Sequence, residues 1–352
     1  MIQTESYSKD WILSHRSRKG LEKINPPLVE KMIHALGLVE LLAAAGLNFV
    51  FKGGTSLILL LDNPARFSID IDIITQHNRE EVEQFLAKIC FGKPFKGFVL
   101  NERRSYREGG VPKAHYSMLY DSGIAGKEEH VLLDILFDEH PYPALLELPI
   151  NSEWLLTSET VQLIKVPTHD AITGDKLTAY APNTIGVPYR KGKELEIVKQ
   201  LGDVGRLYHH VKDIGVVKQA FDKTTLKELK YRGDKHKPDD VIDDIIQTGL
   251  LIARRETNKE EPHVSNFKEI QRGLLQLKAY QMSSFFRIDE AIISAAKAAL
   301  MAARIRANHT GHVEFYKPEM KKADYLITTP ECIYLNKLPV ESLFYWNKTL
   351  SI

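Results

Sequence analysis

Two aspartates stand at i and i+2 in the stretch Phe67 to Thr75, FSIDIDIIT. The stretch alternates with period two, so Ile69, Ile71 and Ile73 share one face while Ser68, Asp70 and Asp72 share the other. On a strand the two acids project side by side, about 7 Å apart at the Cα level. Adjacent carboxylates repel, and a hard cation with oxygen ligands relieves the repulsion; Mg²⁺ is the usual choice, with Mn²⁺ as a substitute. Asp134, in HVLLDILF, is a third acid, out of place in an otherwise apolar strand and in need of a partner. Upstream, Lys52-Gly53-Gly54-Thr55-Ser56 opens an apolar helix, and the free N–H groups of such a helix start, with the helix dipole, hold a phosphate. A lone D-x-D is most often a solvated sheet face, and a lone Gly-Gly a tight turn. Together, and in this order, they describe a triphosphate cradle and a metal pair in one site. No Walker A pattern is present. Arg66, just before the acidic strand, is placed either to orient a phosphate or to pair with the acids.

The elements that must position these groups can be read from the flanking pattern. Leu28 to Ala45 has helical spacing and ends at Gly46; Leu47 to Phe51 reads as a strand running into the glycine turn, and Leu57 to Leu61 as the helix after it. A helix over Arg79 to Ile89 and strands near Phe98 to Arg103, His115 to Tyr120 and His130 to Phe137 complete a mixed α/β half. Beyond Pro167 the spacing changes to long amphipathic helices: Ala171 to Ala181, Glu194 to Lys212, Val216 to Lys230, Asp239 to Arg255, Phe267 to Gln281 and Arg287 to Arg306. The boundary falls between Pro149 and Pro167, giving an α/β domain over residues 1–160 and a mostly helical one over 161–352.

Composition narrows the partners. With 47 Lys and Arg against 46 Asp and Glu in 352 residues, there is no global attraction to nucleic acid or to an anionic membrane, so a polyanion must be held locally. Two cysteines suit neither a disulfide framework nor a cysteine zinc site and point to a reducing cytoplasm; the first residues carry no signal-peptide apolar stretch, and LILLL is far short of a membrane span. HTGH at His309 to His312 lacks a third ligand at zincin spacing, His209 and His210 read as cations at a helix end, and no G-x-S-x-G elbow exists. The basic cluster Lys227, Lys230, Arg232, Lys235 and Lys237, with Arg190, Lys191 and Lys193, reads first as a solvated face and, if the acceptor is RNA, as the track for its phosphates.

FKGGTSLILL followed by RFSIDIDI resembles the signature of the nucleotidyltransferase superfamily. DKLTAYAPNTIG (Asp175 to Gly186) and EIVKQLGDVGRLY (Glu196 to Tyr208) narrow the resemblance to the AbiEii/AbiGii toxin family, the toxin half of type IV toxin–antitoxin and abortive-infection systems. The four motifs run from Lys52 to Tyr208. The resemblance implies a nucleotidyltransferase-fold mixed sheet of the α/β (α+β) class, followed by a helical bundle. It implies that Gly53, Gly54, Thr55 and Ser56 contact nucleotide phosphates beside Lys52 and Arg66, and that Asp70 and Asp72 hold metal with Asp134 as third acid. Lys176 would grip the triphosphate, and Lys199 and Asp203 would complete the site. From spacing alone Lys176 is a surface lysine and Lys199 with Asp203 an exposed i,i+4 pair. Many members carry an acid after the basic residue of this last motif; here the position is Gln200. The implied activity is Mg²⁺-dependent transfer of an NMP from an NTP to an acceptor, the 3′ end of tRNA foremost, arresting growth, with an antitoxin encoded nearby that forms no stable complex. The alternatives are a small-molecule or protein-hydroxyl acceptor, or a nucleotide-sensing module without catalysis.

Overall fold

The computed structural model describes residues 1–103, 105, 110–282 and 286–352, which form two compact units. The first holds Met1–His140, Leu145–Pro167 and the described residues of Ala279–Ser284. The second holds Pro141–Ala144, Thr168–Lys278 and the described residues of Phe285–Ile352.

The first unit is built on a mixed sheet of β1 (Val50–Lys52), β2 (Ile71–Thr75), β3 (Phe95–Leu100), β4 (Lys113–Asp121), β5 (Glu128–Phe137), β6 (Leu145–Pro149) and β7 (Leu163–Pro167). Their order across the sheet is β3-β4-β5-β2-β1-β7-β6. β1 runs antiparallel to β2 and parallel to β7, and β2 runs parallel to β5; the remaining pairs are antiparallel. The helices are α1 (Lys9–Ser14), α2 (Pro26–Ala44), α3 (Gly53–Leu60) and α4 (Arg79–Ile89). α2 starts two residues ahead of its apolar spacing because Pro26 and Pro27 occupy the first turn, where a missing N–H costs nothing. α4 begins at a capping box in which Asn78 and Glu81 satisfy each other's backbone N–H. α2 packs on β5 and α4, and α3 on β1 and β2, burying Met32, Leu36, Phe51, Leu57, Ile71, Ile73, Leu133 and Ile135.

The strand expected over Phe67 to Thr75 is shorter, starting at Ile71. Residues before it are claimed from elsewhere: Phe67 N–H donates to Tyr280 O at 2.7 Å, Met282 N–H donates to Ala65 O at 3.0 Å, and Thr55 Oγ1 donates to Asp70 O at 2.5 Å. Asp70 therefore sits on the entry to β2 rather than in its ladder. β6, at the sheet edge, and β7, between it and β1, are not legible in the sequence because each is only five residues long and ends at a proline.

The second unit is a helical bundle of α5 (His169–Ala179), α6 (Glu194–Leu207), α7 (Ile214–Tyr231), α8 (Pro238–Arg254), α9 (His263–Leu277), α10 (Ile288–Arg306) and α11 (Val340–Leu350). α10 packs against α6, α8 and α11 at once. Its buried alanines, Ala291, Ala295, Ala296, Ala298, Ala299, Ala302 and Ala303, make that possible by keeping every face narrow. At the α6 crossing, a Cβ on Gly205 would lie 2.0 Å from Ser294 Oγ, so only glycine admits that approach. Among the described residues no helix is long and apolar enough to cross a membrane.

Candidate active site

In the first unit, register brings the sequence-distant groups together. Lys52 on β1 pairs with Asp72 on β2, Asp72 pairs with Asp134 on β5, and Asp134 pairs with His115 on β4. Directly paired residues present their side chains on one face, so four strands supply a row reading Lys, Asp, Asp, His. Asp72 and Asp134 are each half-buried, with their neighbours Ile71, Ile73, Leu133 and Ile135 packed into the core on the opposite face.

The glycine turn abuts this row. Lys52 is the N-cap of α3 and its side chain makes no capping bond there. Gly53 has φ +78, a left-handed conformation that side chains disfavour. A Cβ on Gly53 would lie 2.1 Å from Asp72 Oδ2, so the carboxylate rests directly on the helix start. A Cβ on Gly54 would lie 2.6 Å from Arg66 Nη2 and 2.8 Å from Ser68 Oγ. The glycine pair is thus flanked by a carboxylate on one side and a guanidinium on the other. Thr55 and Ser56 are fully buried. Thr55 Oγ1 donates to Asp70 O at 2.5 Å and lies 2.9 Å from Ser68 Oγ, while Ser56 Oγ donates to Gly53 O at 2.9 Å. Their hydroxyls brace the turn, which leaves their backbone N–H groups as what they offer a phosphate. Arg66 Nη1 also donates to Phe67 O at 3.2 Å.

The acids fit the chemistry expected of an Mg²⁺ site in part. All three offer hard oxygen donors, and the space at Gly53 beside Asp72 Oδ2 is one that a side chain would fill. Among the described residues no three acidic, histidine or cysteine side chains converge on a ready-made cage. Mg²⁺ tolerates this, since it commonly takes one or two carboxylates and fills its shell with water and substrate phosphates.

In the second unit, Lys176 on α5 is not the surface lysine its spacing suggests. It is 4% exposed, and its Nζ lies 3.0 Å from Asp203 Oδ2 and donates to Gln200 Oε1 at 3.1 Å. Asp203 is equally buried, so the two helices α5 and α6 are joined by an ion pair withdrawn from water. Lys199 reaches Glu196 at 3.8 Å along α6. Arg206, one turn beyond Asp203, has its pKa lowered by burial, an effect that Asp203 opposes. The APNTIG segment that follows α5 is pinned by Asp244 of α8, which accepts from Asn183 N at 2.8 Å, Asn183 Nδ2 at 2.6 Å and Thr184 Oγ1 at 2.9 Å. Burial raises the Asp244 pKa despite these bonds.

Two readings set aside at the sequence level resolve differently. HTGH is a loop whose carbonyls at His309, Gly311 and His312 converge on the Arg304 guanidinium. His209 and His210 end the 3-10 turn Tyr208–His210 that follows α6 directly, and His209 Nε2 lies 2.8 Å from the buried Lys297 Nζ. Burial and then the Lys297 charge lower its pKa. His115 is the site residue that the sequence reading passed over; a single histidine in KAHYSMLYD carries no signal until register sets it against Asp134.

A β1–glycine turn–α3 unit set against an acid-bearing parallel strand pair belongs to the nucleotidyltransferases. A family model described as "Nucleotidyl transferase AbiEii toxin, Type IV TA system" matches residues 38–315, and the chain belongs to that family. The match extends well past Tyr208, where the recognisable motifs stop, into α10 and beyond. No curated protein matches the chain in sequence. Among solved structures the chain is similar to JHP933 from Helicobacter pylori, at 14% identity and TM-score 0.45, covering 81% of this chain and 94% of that one. It is also similar to an antigenic nucleotidyltransferase-like protein from Paracoccidioides brasiliensis, at 14% identity and TM-score 0.37, covering 58% and 89% respectively.

Proposed function

We propose that this nucleotidyltransferase toxin transfers an NMP from an NTP to the 3′ end of tRNA in an Mg²⁺-dependent reaction and so arrests growth. The observation that carries the reading is the register row Lys52–Asp72–Asp134 lying against the Gly53-Gly54 start of α3. In this reading the backbone N–H groups at Gly53 to Ser56 bind phosphate oxygens, with Lys52 and Arg66 supplying positive charge beside them. Asp70, Asp72 and Asp134 hold the metal, and Asp134 also accepts the proton of the attacking hydroxyl. Bound Mg²⁺ would neutralise charge on the phosphates and help expel pyrophosphate. Within the helical unit, Asp203 fixes Lys176, and Lys199 lies on the same helix as Asp203. Gln200 supports rather than weakens this assignment, because its Oε1 already gives Lys176 the acceptor that an acid would supply. The exposed Arg190, Lys191 and Lys193, with the Lys230 to Lys237 cluster, are the residues that would follow RNA phosphates. The antitoxin belonging to such a system would counter the toxin without forming a stable complex.

The test is incubation of the protein with Mg²⁺, total tRNA and each α-labelled NTP in turn, with Asp70→Ala and Asp72→Ala proteins as controls. Label on tRNA, absent from the controls, is the expected result. Pyrophosphate release only with a small-molecule or protein acceptor would overturn the tRNA assignment, and NTP binding without turnover would overturn the catalytic one.

A further inference from the structure

We propose that His115 is a positioning residue that fixes the carboxylate of Asp134 for the transfer reaction; the inference rests on the reading of Asp134 as the third acid. Asp134 and His115 are opposed across the antiparallel β4–β5 pair, and His115 Nδ1 lies 2.6 Å from Asp134 Oδ1. The main chain of His115 is held on both sides, which fixes where the ring starts. His115 N–H donates to Ser105 Oγ at 3.1 Å, its carbonyl accepts from Asn101 N–H at 2.8 Å, and the residue is 7% exposed. Its Nε2 is buried with no hydrogen-bond partner among the described residues. A buried Nε2–H would be a donor without an acceptor, whereas the Nδ1–H tautomer spends its one N–H on Asp134 and leaves Nε2 bare, the cheaper arrangement.

The need for such a tether follows from the row itself. Asp72 and Asp134 are neighbours in a parallel ladder, so their charges favour rotamers that turn the two carboxylates apart. A short bond from a rigid ring opposes that rotation without cancelling the negative charge that Asp134 needs, and a histidine–carboxylate partnership of this kind typically tunes a ligand or base about 10–100-fold. The complementary device on the other acid is Gly53, which admits the Asp72 carboxylate onto the helix start.

The experiment compares Asp134→Ala, His115→Ala, His115→Asn and His115→Gln proteins. Asn sets an amide N–H near the position of Nδ1, and Gln displaces it by a methylene. Kinetics of NMP transfer are read as kcat and NTP KM at saturating Mg²⁺. The rise in Tm on adding Mn²⁺ without NTP supplies a readout independent of turnover. Expected are loss of transfer in Asp134→Ala, a kcat about 10–100-fold lower in His115→Ala with NTP KM nearly unchanged, and a smaller Mn²⁺-dependent Tm rise. His115→Asn should recover most of both, and His115→Gln less. If His115→Ala fails to fold, the Asn and Gln proteins decide: equal kcat and equal Mn²⁺ response in the two overturns the proposal. His115→Ala matching the parent while Asp134→Ala is inactive also overturns it and leaves the Asp134 reading intact, whereas full activity in Asp134→Ala defeats that reading itself.

Discussion

Asp72 and Asp134 are register partners in a parallel strand pair, so two carboxylates leave the same face of the sheet one strand apart, with Lys52 and His115 closing the row at its ends. The two carboxylates repel each other across the ladder, and Lys52 beside Asp72 offsets part of that repulsion. Neutralising one member should therefore stabilise the fold while ending activity. Asp72→Asn is expected to raise Tm in EDTA by a few degrees, equivalent to roughly 0.5–1 kcal/mol, and to abolish nucleotidyl transfer. Thermal denaturation with and without chelator checks it; a lowered Tm in EDTA would show that the row is not under repulsion.

Gly53 combines a φ of +78 with contact from Asp72 Oδ2 at 2.1 Å from any Cβ. Gly53→Ala should cost on the order of 1–3 kcal/mol in stability and displace the carboxylate, with loss of transfer. Gly54→Ala meets only side-chain ends, Arg66 Nη2 and Ser68 Oγ, so the fold should yield by less than 1 kcal/mol or so while NTP KM rises. Urea unfolding together with NTP titration separates the two.

The Lys176–Asp203 pair is buried on both sides, so removing one partner strands a charge. Asp203→Ala should destabilise the protein by roughly 3–5 kcal/mol. Replacing both, as Lys176→Met with Asp203→Leu, should restore much of that stability and none of the activity. The double protein, measured by chemical denaturation and by label transfer, tells a role in the reaction from a role in the fold.

Stability should fall on mild acidification. Burial pushes the pKa of His34 down to about 4, against a bond from its ring to Glu30 O, and burial with the Arg18 charge pushes His15 down to about 4. His209 is shifted in the same direction. For His34 and His15 the unfolded chain binds the proton first, so their full contribution is present above pH 6.5 and is lost as pH falls toward 4, up to about 3 kcal/mol each. Urea midpoints at pH 7.5 and pH 4.5 should diverge in the parent and diverge less in His34→Gln. An unchanged pH response in that variant would remove His34 from the account.

Much of this was legible in the sequence, for reasons that differ by element. The helices from α4 to α10 announce themselves through apolar spacing and caps, such as Asn78 with Glu81 at the start of α4. The acids Asp70, Asp72 and Asp134 stand out because a carboxylate in an apolar strand is costly wherever it is found. What spacing along the chain cannot carry is register. Only the ladder sets Lys52 against Asp72 and His115 against Asp134, and only the approach of α5 to α6 turns Lys176 into a buried ion pair with Asp203. Asp70 lies off the ladder for a comparable reason: the backbone before Ile71 is drawn to Tyr280 and Met282, far along the chain.

The parallel pairing of β2 with β5 spans some sixty residues of intervening chain, so the acidic row comes into being only when Glu128–Phe137 docks beside Ile71–Thr75. A nascent polypeptide still tethered to the ribosome short of that strand carries Asp72 without its partner. Under the proposed role of that row, transfer is thereby withheld from partly made copies of the chain, and synthesis has a built-in interval before the site exists.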